Sequence, residues 1–206
     1  MLDTLTHNED FIDAVTEVLN IGVGVAAAAL SEMVQKPVLL KIPSVEFVAR
    51  DQALLSLAQD SGIVATGVRQ KFEGTYSGNA FLLFPENQSL ELVRVLLGYE
   101  AVSSIVNLTE MEQEAITEVG NVVLNACLCS IADILHKSIE SHIPEFVRGA
   151  LPSILVSDRT IILFMRINFA IEQLAIQGYL SFVMDVDSIA DFKRSIDQFA
   201  KLSVAL

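Results

Sequence analysis

The chain has 206 residues, of which 52% are hydrophobic and 19% charged, apolar material enough to bury a core in one compact unit and too much for a disordered segment. Its formal net charge is -13, with only 13 Lys and Arg scattered along it; phosphate neutralisation needs basic patches, so nucleic acid is excluded as a partner. The mean hydropathy of +0.50 is high, but no membrane span is expected: the most apolar window, residues 21–30, is too short and too rich in Ala and Gly, and the run 161–184 is broken by Arg166, Asn168, Glu172 and Gln177.

In chain order, apolar periodicity predicts a helix over residues 9–35, opened by polar Asn8, then a strand over 37–49 and a short helix near 51–58. Two strands follow, 62–72 and 77–84, separated by a turn around Gly74, and then a helix over 87–97. After a loop the order restarts. Thr109 and Glu112 form a Thr-x-x-Glu capping box before a long helix to about Lys137. A strand over 138–147, two more over 159–171 and 177–184, and a closing helix over 185–202 complete the chain. The N-terminus lacks the basic then apolar pattern of a secretion signal, so a cytoplasmic protein is expected.

The segments "VTEVLNIGVG" at 15–24 and "ITEVGNVVLN" at 116–125 carry the same Thr-Glu-Val-x-Asn, and a proline follows each asparagine at the same distance, Pro43 after Asn20 and Pro144 after Asn121. The register is nearly constant across a whole half, which implies duplication: two repeats, about residues 9–98 and about 110–198. Apolar strands from two such units are best satisfied by one shared sheet. The expected fold is therefore α+β, a single pseudo-twofold-symmetric domain with a mainly antiparallel sheet and two long helices side by side on it.

On those helices, Asp13, Glu17, Asn20 and Gly24 share one face, as do Glu114, Glu118, Asn121 and Asn125, because positions i, i+4, i+7 and i+11 fall within about 60 degrees of each other. The expected core faces are Phe11, Val15, Val18, Ala26, Ala29 and Met33 in the first helix and Ile116, Val119, Val123, Cys127 and Ile134 in the second. Acidic residues on a polar face are ordinarily a solvated surface. Asn is different: a mediocre helix former that competes for backbone hydrogen bonds, it recurs here mid-helix at matching positions. Small residues Gly24, Ala27, Ala28 and Ser31 continue the first stripe, leaving the amide open to a partner or admitting a neighbouring helix.

Other chemistry finds little support. Cys127 and Cys129 are spaced C-x-C within a helix and read as reduced structural thiols, and His7, His136 and His142 fall in no metal-ligand spacing. No phosphate loop or nucleophile elbow is present, and the Gly-containing "IGVGVA" lies inside a helix rather than between strand and helix.

Asp13-x-x-x-Glu17-x-x-Asn20 with Pro43 beyond, repeated as Glu114-x-x-x-Glu118-x-x-Asn121 with Pro144 beyond, resembles the CheC/CheX/FliY family of chemotaxis phosphatases, and the two copies resemble the two-site CheC type. The "NIGVGVAAAALSEM" segment is similar to the family's Asn-Ile-Gly-Ala-Gly helix, whereas Glu114 stands where Asp or Ser is usual and Val25 where Asn is common. The resemblance implies dephosphorylation of a CheY-like response regulator, with no cofactor bound by this chain and Mg²⁺ held in the regulator. It implies that Asn20 or Asn121 positions the attacking water and that Glu17 or Glu118 pairs with the regulator's Lys, with Asp13 and Glu114 at the partner surface. Two rival expectations stand beside it: a non-catalytic module that binds a regulator or a CheD-type deamidase, and stripes that pack against other helices in a homo-oligomer.

Overall fold

The structure is a computed structural model describing residues 9–61, 64–98, 108–155, 161–171, 174–184 and 186–203. The expected cap Asn8, the loop 99–107 and His7 lie outside the described residues. Helix α1 (Glu9–Val34) leads into strand β1 (Val38–Ala49), helix α2 (Arg50–Ser61), strands β2 (Val64–Gly74) and β3 (Gly78–Pro85) and helix α3 (Glu86–Leu97). The second half runs α4 (Glu110–Leu135), β4 (Ile139–Ser141), β5 (Glu145–Ala150), α5 (Leu151–Ile154), β6 (Ile161–Ile171), β7 (Leu174–Met184) and α6 (Val186–Ser203). The first half thus runs helix, strand, helix, two strands, helix, and the second differs from it in having two short strands, β4 and β5, in place of the single strand β1.

All seven strands join one sheet in the order β1-β6-β7-β3-β2-β4, with β5 also on β2 and every pair antiparallel. Alternation along the strands sends side chains to two faces. One face, with Val68, Phe72, Leu82, Met165 and Phe182, is covered by α1, α4 and apolar residues of α3 and α6 in the main core. The other carries a smaller cluster in which Ala53 of α2 and Leu151 and Ile154 of α5 meet Phe81, Leu83, Phe164 and Tyr179.

The long helices form as the sequence predicts. Thr109 caps α4 by accepting from the Glu112 amide at 3.3 Å, and the Glu112 carboxylate accepts in return from the Thr109 amide at 2.7 Å. Helix α1 lies against α4 so closely that a Cβ added to Gly22 would stand 2.9 Å from the Cys127 Cα. The end of α1, Met33 and Val34, shares a groove with Met111 to Glu118 at the start of α4, so the two helices run antiparallel. Both reach the length and apolar character of a membrane span, which the sequence reading did not expect; 44% and 50% of those stretches are buried in the fold, as in core helices.

Three further expectations are corrected. The strand over 138–147 is two strands, interrupted at 142–144 where Pro144 supplies no N–H to the ladder. The short helix α5 after it was not anticipated. Ala29 and Met33 are exposed rather than core, because the end of α1 runs beside the open groove at the first turns of α4, and Ile134 is only half-buried.

Candidate functional site

The two acidic faces emerge at the surface. Asp13 and Glu17 on α1, and Glu114 and Glu118 on α4, are exposed, and none of the four is held in an ion pair or hydrogen bond among the described residues. Unpaired carboxylates one turn from a polar amide, in two places, are free to meet cations of a visiting surface. Asn20 and Asn121 are half-buried: neither is sealed in the core.

Each amide is tied down at its oxygen. In the first half, Asn20 Oδ1 accepts from the backbone N–H of buried Ile42 at 3.3 Å. That N–H is available because β1 slips register against β6 between Lys41 and Ser44, across Pro43. The proline thus helps create the irregularity that the asparagine satisfies. A backbone N–H can only donate, so the amide oxygen must face the strand and Nδ2 is turned away from it.

In the second half the anchor differs. Asn121 Oδ1 accepts from Asn125 Nδ2 at 2.6 Å; Asn125 Oδ1 accepts from Gln70 Nε2 at 3.0 Å and from Ser141 Oγ at 2.7 Å. Gln70 Nε2 also donates to the His142 carbonyl at 2.9 Å. The counterpart of Asn125 in α1 is Gly24, where an added Cβ would meet nothing within 4 Å. The counterpart of Ile42 is Ile143, which is 87% exposed and does not anchor its asparagine.

Asn20 bonds to β1 and Asn125 to β4, the outer strands on opposite edges of the sheet, so the two sites look out along opposite borders. Their surroundings also differ. Asp13 lines an open groove of about 460 Å³ with Glu9, Ile12 and Glu46, whereas Glu114 and Glu118 border one of about 340 Å³ with Met33, Leu96, Leu97 and Met111. Both grooves have apolar walls, Val45, Phe47 and Val48 in the first, with three carboxylates bordering the first and two the second.

Sequence reasoning placed Asn125 on the stripe but missed Gln70 and Ser141. Gln70 carried a signal: it occupies the inward phase of β2 between Val68 and Phe72, where an apolar residue is the rule, and it is 1% exposed. Among the described residues no three His, Cys, Asp or Glu side chains come together as a metal site. Cys127 is buried, and burial pushes its thiol up to about 12, while Cys129 is exposed.

One shared antiparallel sheet carries two antiparallel helices that each present an acidic and asparagine face, the fold implied by the resemblance to the CheC/CheX/FliY family. No protein-family profile matches the chain. It is similar to the CheY-P phosphatase CheC of Bacillus subtilis (strain 168), at 25% identity over 139 residues; the match spans 66% of this chain and 66% of that protein, just under two thirds of its length. In three dimensions it is similar to Thermotoga maritima FliY, with a TM-score of 0.75 at 16% identity over 93% of this chain and 98% of that one. It is also similar to a chain in the FliG–FliM complex of H. pylori, with a TM-score of 0.69 at 12% identity over 91% of this chain and 99% of that one. These structural likenesses establish the fold.

Proposed function

We propose that the protein is a phosphatase for the aspartyl phosphate of a CheY-like response regulator, acting in the cytoplasm through two sites on copies of one repeated unit. The observation that carries this reading is the pair of half-buried asparagines whose amide oxygens are anchored and whose Nδ2 groups stay available, each one turn from an unpaired glutamate. The similarity to the CheY-P phosphatase CheC supports it.

In this mechanism the helix face docks over the regulator's phosphorylated pocket. Glu17 or Glu118 pairs with the regulator's lysine and sets the register. Asn20 or Asn121 enters the pocket, and its Nδ2 donates to the oxygen of a water, which keeps a lone pair in line with phosphorus. Attack forms the new P–O bond as the bond to the regulator's aspartate breaks; the aspartate leaves as carboxylate and the water's protons pass to phosphate and solvent. The asparagine is not a base. Positioning and charge neutralisation do the work, as is general in phosphoryl transfer, with Mg²⁺ belonging to the regulator's pocket.

The test is release of phosphate from a phosphorylated regulator. Asn20→Ala combined with Asn121→Ala is expected to lower the rate about a hundredfold, the scale of loss when a reactant is misplaced. An unchanged rate would show the catalytic assignment to be wrong. Single variants divide the work between halves.

The fold shared with FliM, whose solved complex is with FliG, favours one alternative: a non-catalytic adaptor for a regulator or a CheD-type deamidase. Glu17 and Glu118 would then matter and the asparagines little. Tight regulator binding without faster phosphate loss selects it.

A further inference from the structure

We propose that Gln70 and Asn125 are positioning residues: they form a one-way hydrogen-bond relay that fixes the Asn121 carboxamide with its oxygen inward and its nitrogen outward. The inference rests on the reading of Asn121 as the group that enters a phosphorylated pocket, and it assigns roles to two residues outside the repeated Glu and Asn motif.

An amide can turn over by 180 degrees at little steric cost, so which atom points outward is set by its partners. Here the partners start from a group with no choice. The His142 carbonyl can only accept, so the Gln70 end facing it must be the NH₂. Both hydrogens of that NH₂ are engaged, one on His142 O at 2.9 Å and one on Asn125 at 3.0 Å. The atom of Asn125 that receives the second must be its oxygen, which also accepts from Ser141 Oγ. Asn125 is thereby left with its nitrogen toward Asn121, and the atom it meets at 2.6 Å must be Asn121 Oδ1. Each step leaves the next amide one compatible orientation.

The relay is buried at its root. Gln70 is 1% exposed in the main core layer, and its Oε1 is buried without a hydrogen-bond partner among the described residues. An unsatisfied buried oxygen is a standing destabilisation that an apolar residue of similar shape would remove. Retaining the amide is intelligible if its NH₂ is needed. In the first half Ile42 N–H imposes the same polarity on Asn20 directly, and Gly24 stands where a relay residue would be. Two unlike constructions therefore leave the same atom facing outward.

The test uses Asn125→Asp in an Asn20→Ala background, so that only the second site reports. An aspartate at 125 still accepts from Gln70 and Ser141 but cannot donate to Asn121, and it offers an acceptor that draws the Asn121 NH₂ inward. In the proton–nitrogen spectrum, with the Asn121 amide assigned, its NH₂ protons are expected to go from rapid to slow solvent exchange. The turnover number for phosphate release should fall at least tenfold, with regulator affinity within twofold. Ser141→Ala, which removes one bond without changing the polarity, should leave both readouts alone. Gln70→Met, monitored by thermal melting for folding, should leave the Asn121 amide free to take both orientations and lower turnover partway.

An Asn121 amide whose exchange is the same in Asn125→Asp overturns the relay. So does a reversed amide with undiminished turnover in a background where Asn121→Ala abolishes it. If Asn121→Ala itself has no effect on phosphate release, the phosphatase reading of this site fails, and the amide exchange alone decides whether the relay exists.

Discussion

Gly22 and Gly24 lie two residues apart in α1 and offer a comparison in which helix propensity cancels. Replacing either by alanine removes a flexible residue from a helix interior and gains about 0.8–1 kcal/mol. At Gly24 nothing lies within 4 Å of the new methyl, so that gain stands. At Gly22 the methyl would sit 2.9 Å from Cys127 Cα and 3.1 Å from Ala126 O. Both are backbone atoms of α4, and neither can yield unless the whole helix retreats with buried Val123, Leu124 and Cys127. Overpacking of this kind costs about 1–3 kcal/mol, which offsets or exceeds the propensity gain. The two variants should therefore differ by about 1–3 kcal/mol, with Gly24→Ala more stable than the unmodified protein and Gly22→Ala at or below it. At about 2–4 °C per kcal/mol for a chain of this size the difference is measurable by thermal melting, and urea midpoints give an independent value. If Gly22→Ala proves as stable as Gly24→Ala, the close seam between α1 and α4 is not as described.

Other predictions concern single features. Thr109→Ala removes the cap of α4, taking the acceptor from the Glu112 amide and one of two donors from the buried Glu112 carboxylate, at a cost of about 1–2 kcal/mol measurable by urea denaturation. His136, at φ 52 beyond the end of α4, is a non-glycine residue in the left-handed region; His136→Gly should stabilise by roughly 1 kcal/mol, read as a higher melting temperature. In the native protein a thiol reagent near neutral pH should modify Cys129 and spare Cys127, whose buried thiol stays protonated until about pH 12; denaturation should expose both. Asn20→Asp keeps an oxygen for Ile42 N–H but loses the outward NH₂, so it should melt closer to the unmodified protein than Asn20→Ala while losing phosphate release at the first site.

Much of this architecture could be read from local pattern. The long helices and the paired strands follow from periodicity of 3.6 and 2, which reports on burial wherever an element has one wet and one dry side, and the capping box follows from the Thr-x-x-Glu spacing at residues 109–112. The exposed carboxylates Asp13, Glu17, Glu114 and Glu118 followed from the same geometry. What escaped depends on contacts between distant segments. Met33 has an apolar side chain in core phase, and only the open groove beside Leu96 and Met111 leaves it exposed. The break at residues 142–144 lies inside a run that otherwise reads as one strand. The orientation of Asn121 is set through Gln70, 51 positions earlier in the chain, and no local pattern contains that information.

The matching prolines have a consequence beyond the sites they accompany. Pro43 falls in the slipped register of one border strand and Pro144 in the gap between β4 and β5 on the other border. A sheet with uninterrupted borders offers a continuous row of free amides and carbonyls to any passing extended chain, the route by which β-proteins polymerise. Here both borders are interrupted partway along, and each proline withholds a donor where a foreign strand would need one. A protein so rich in apolar residues thereby gains protection against stacking into fibres, from two prolines that follow its asparagines at the same spacing.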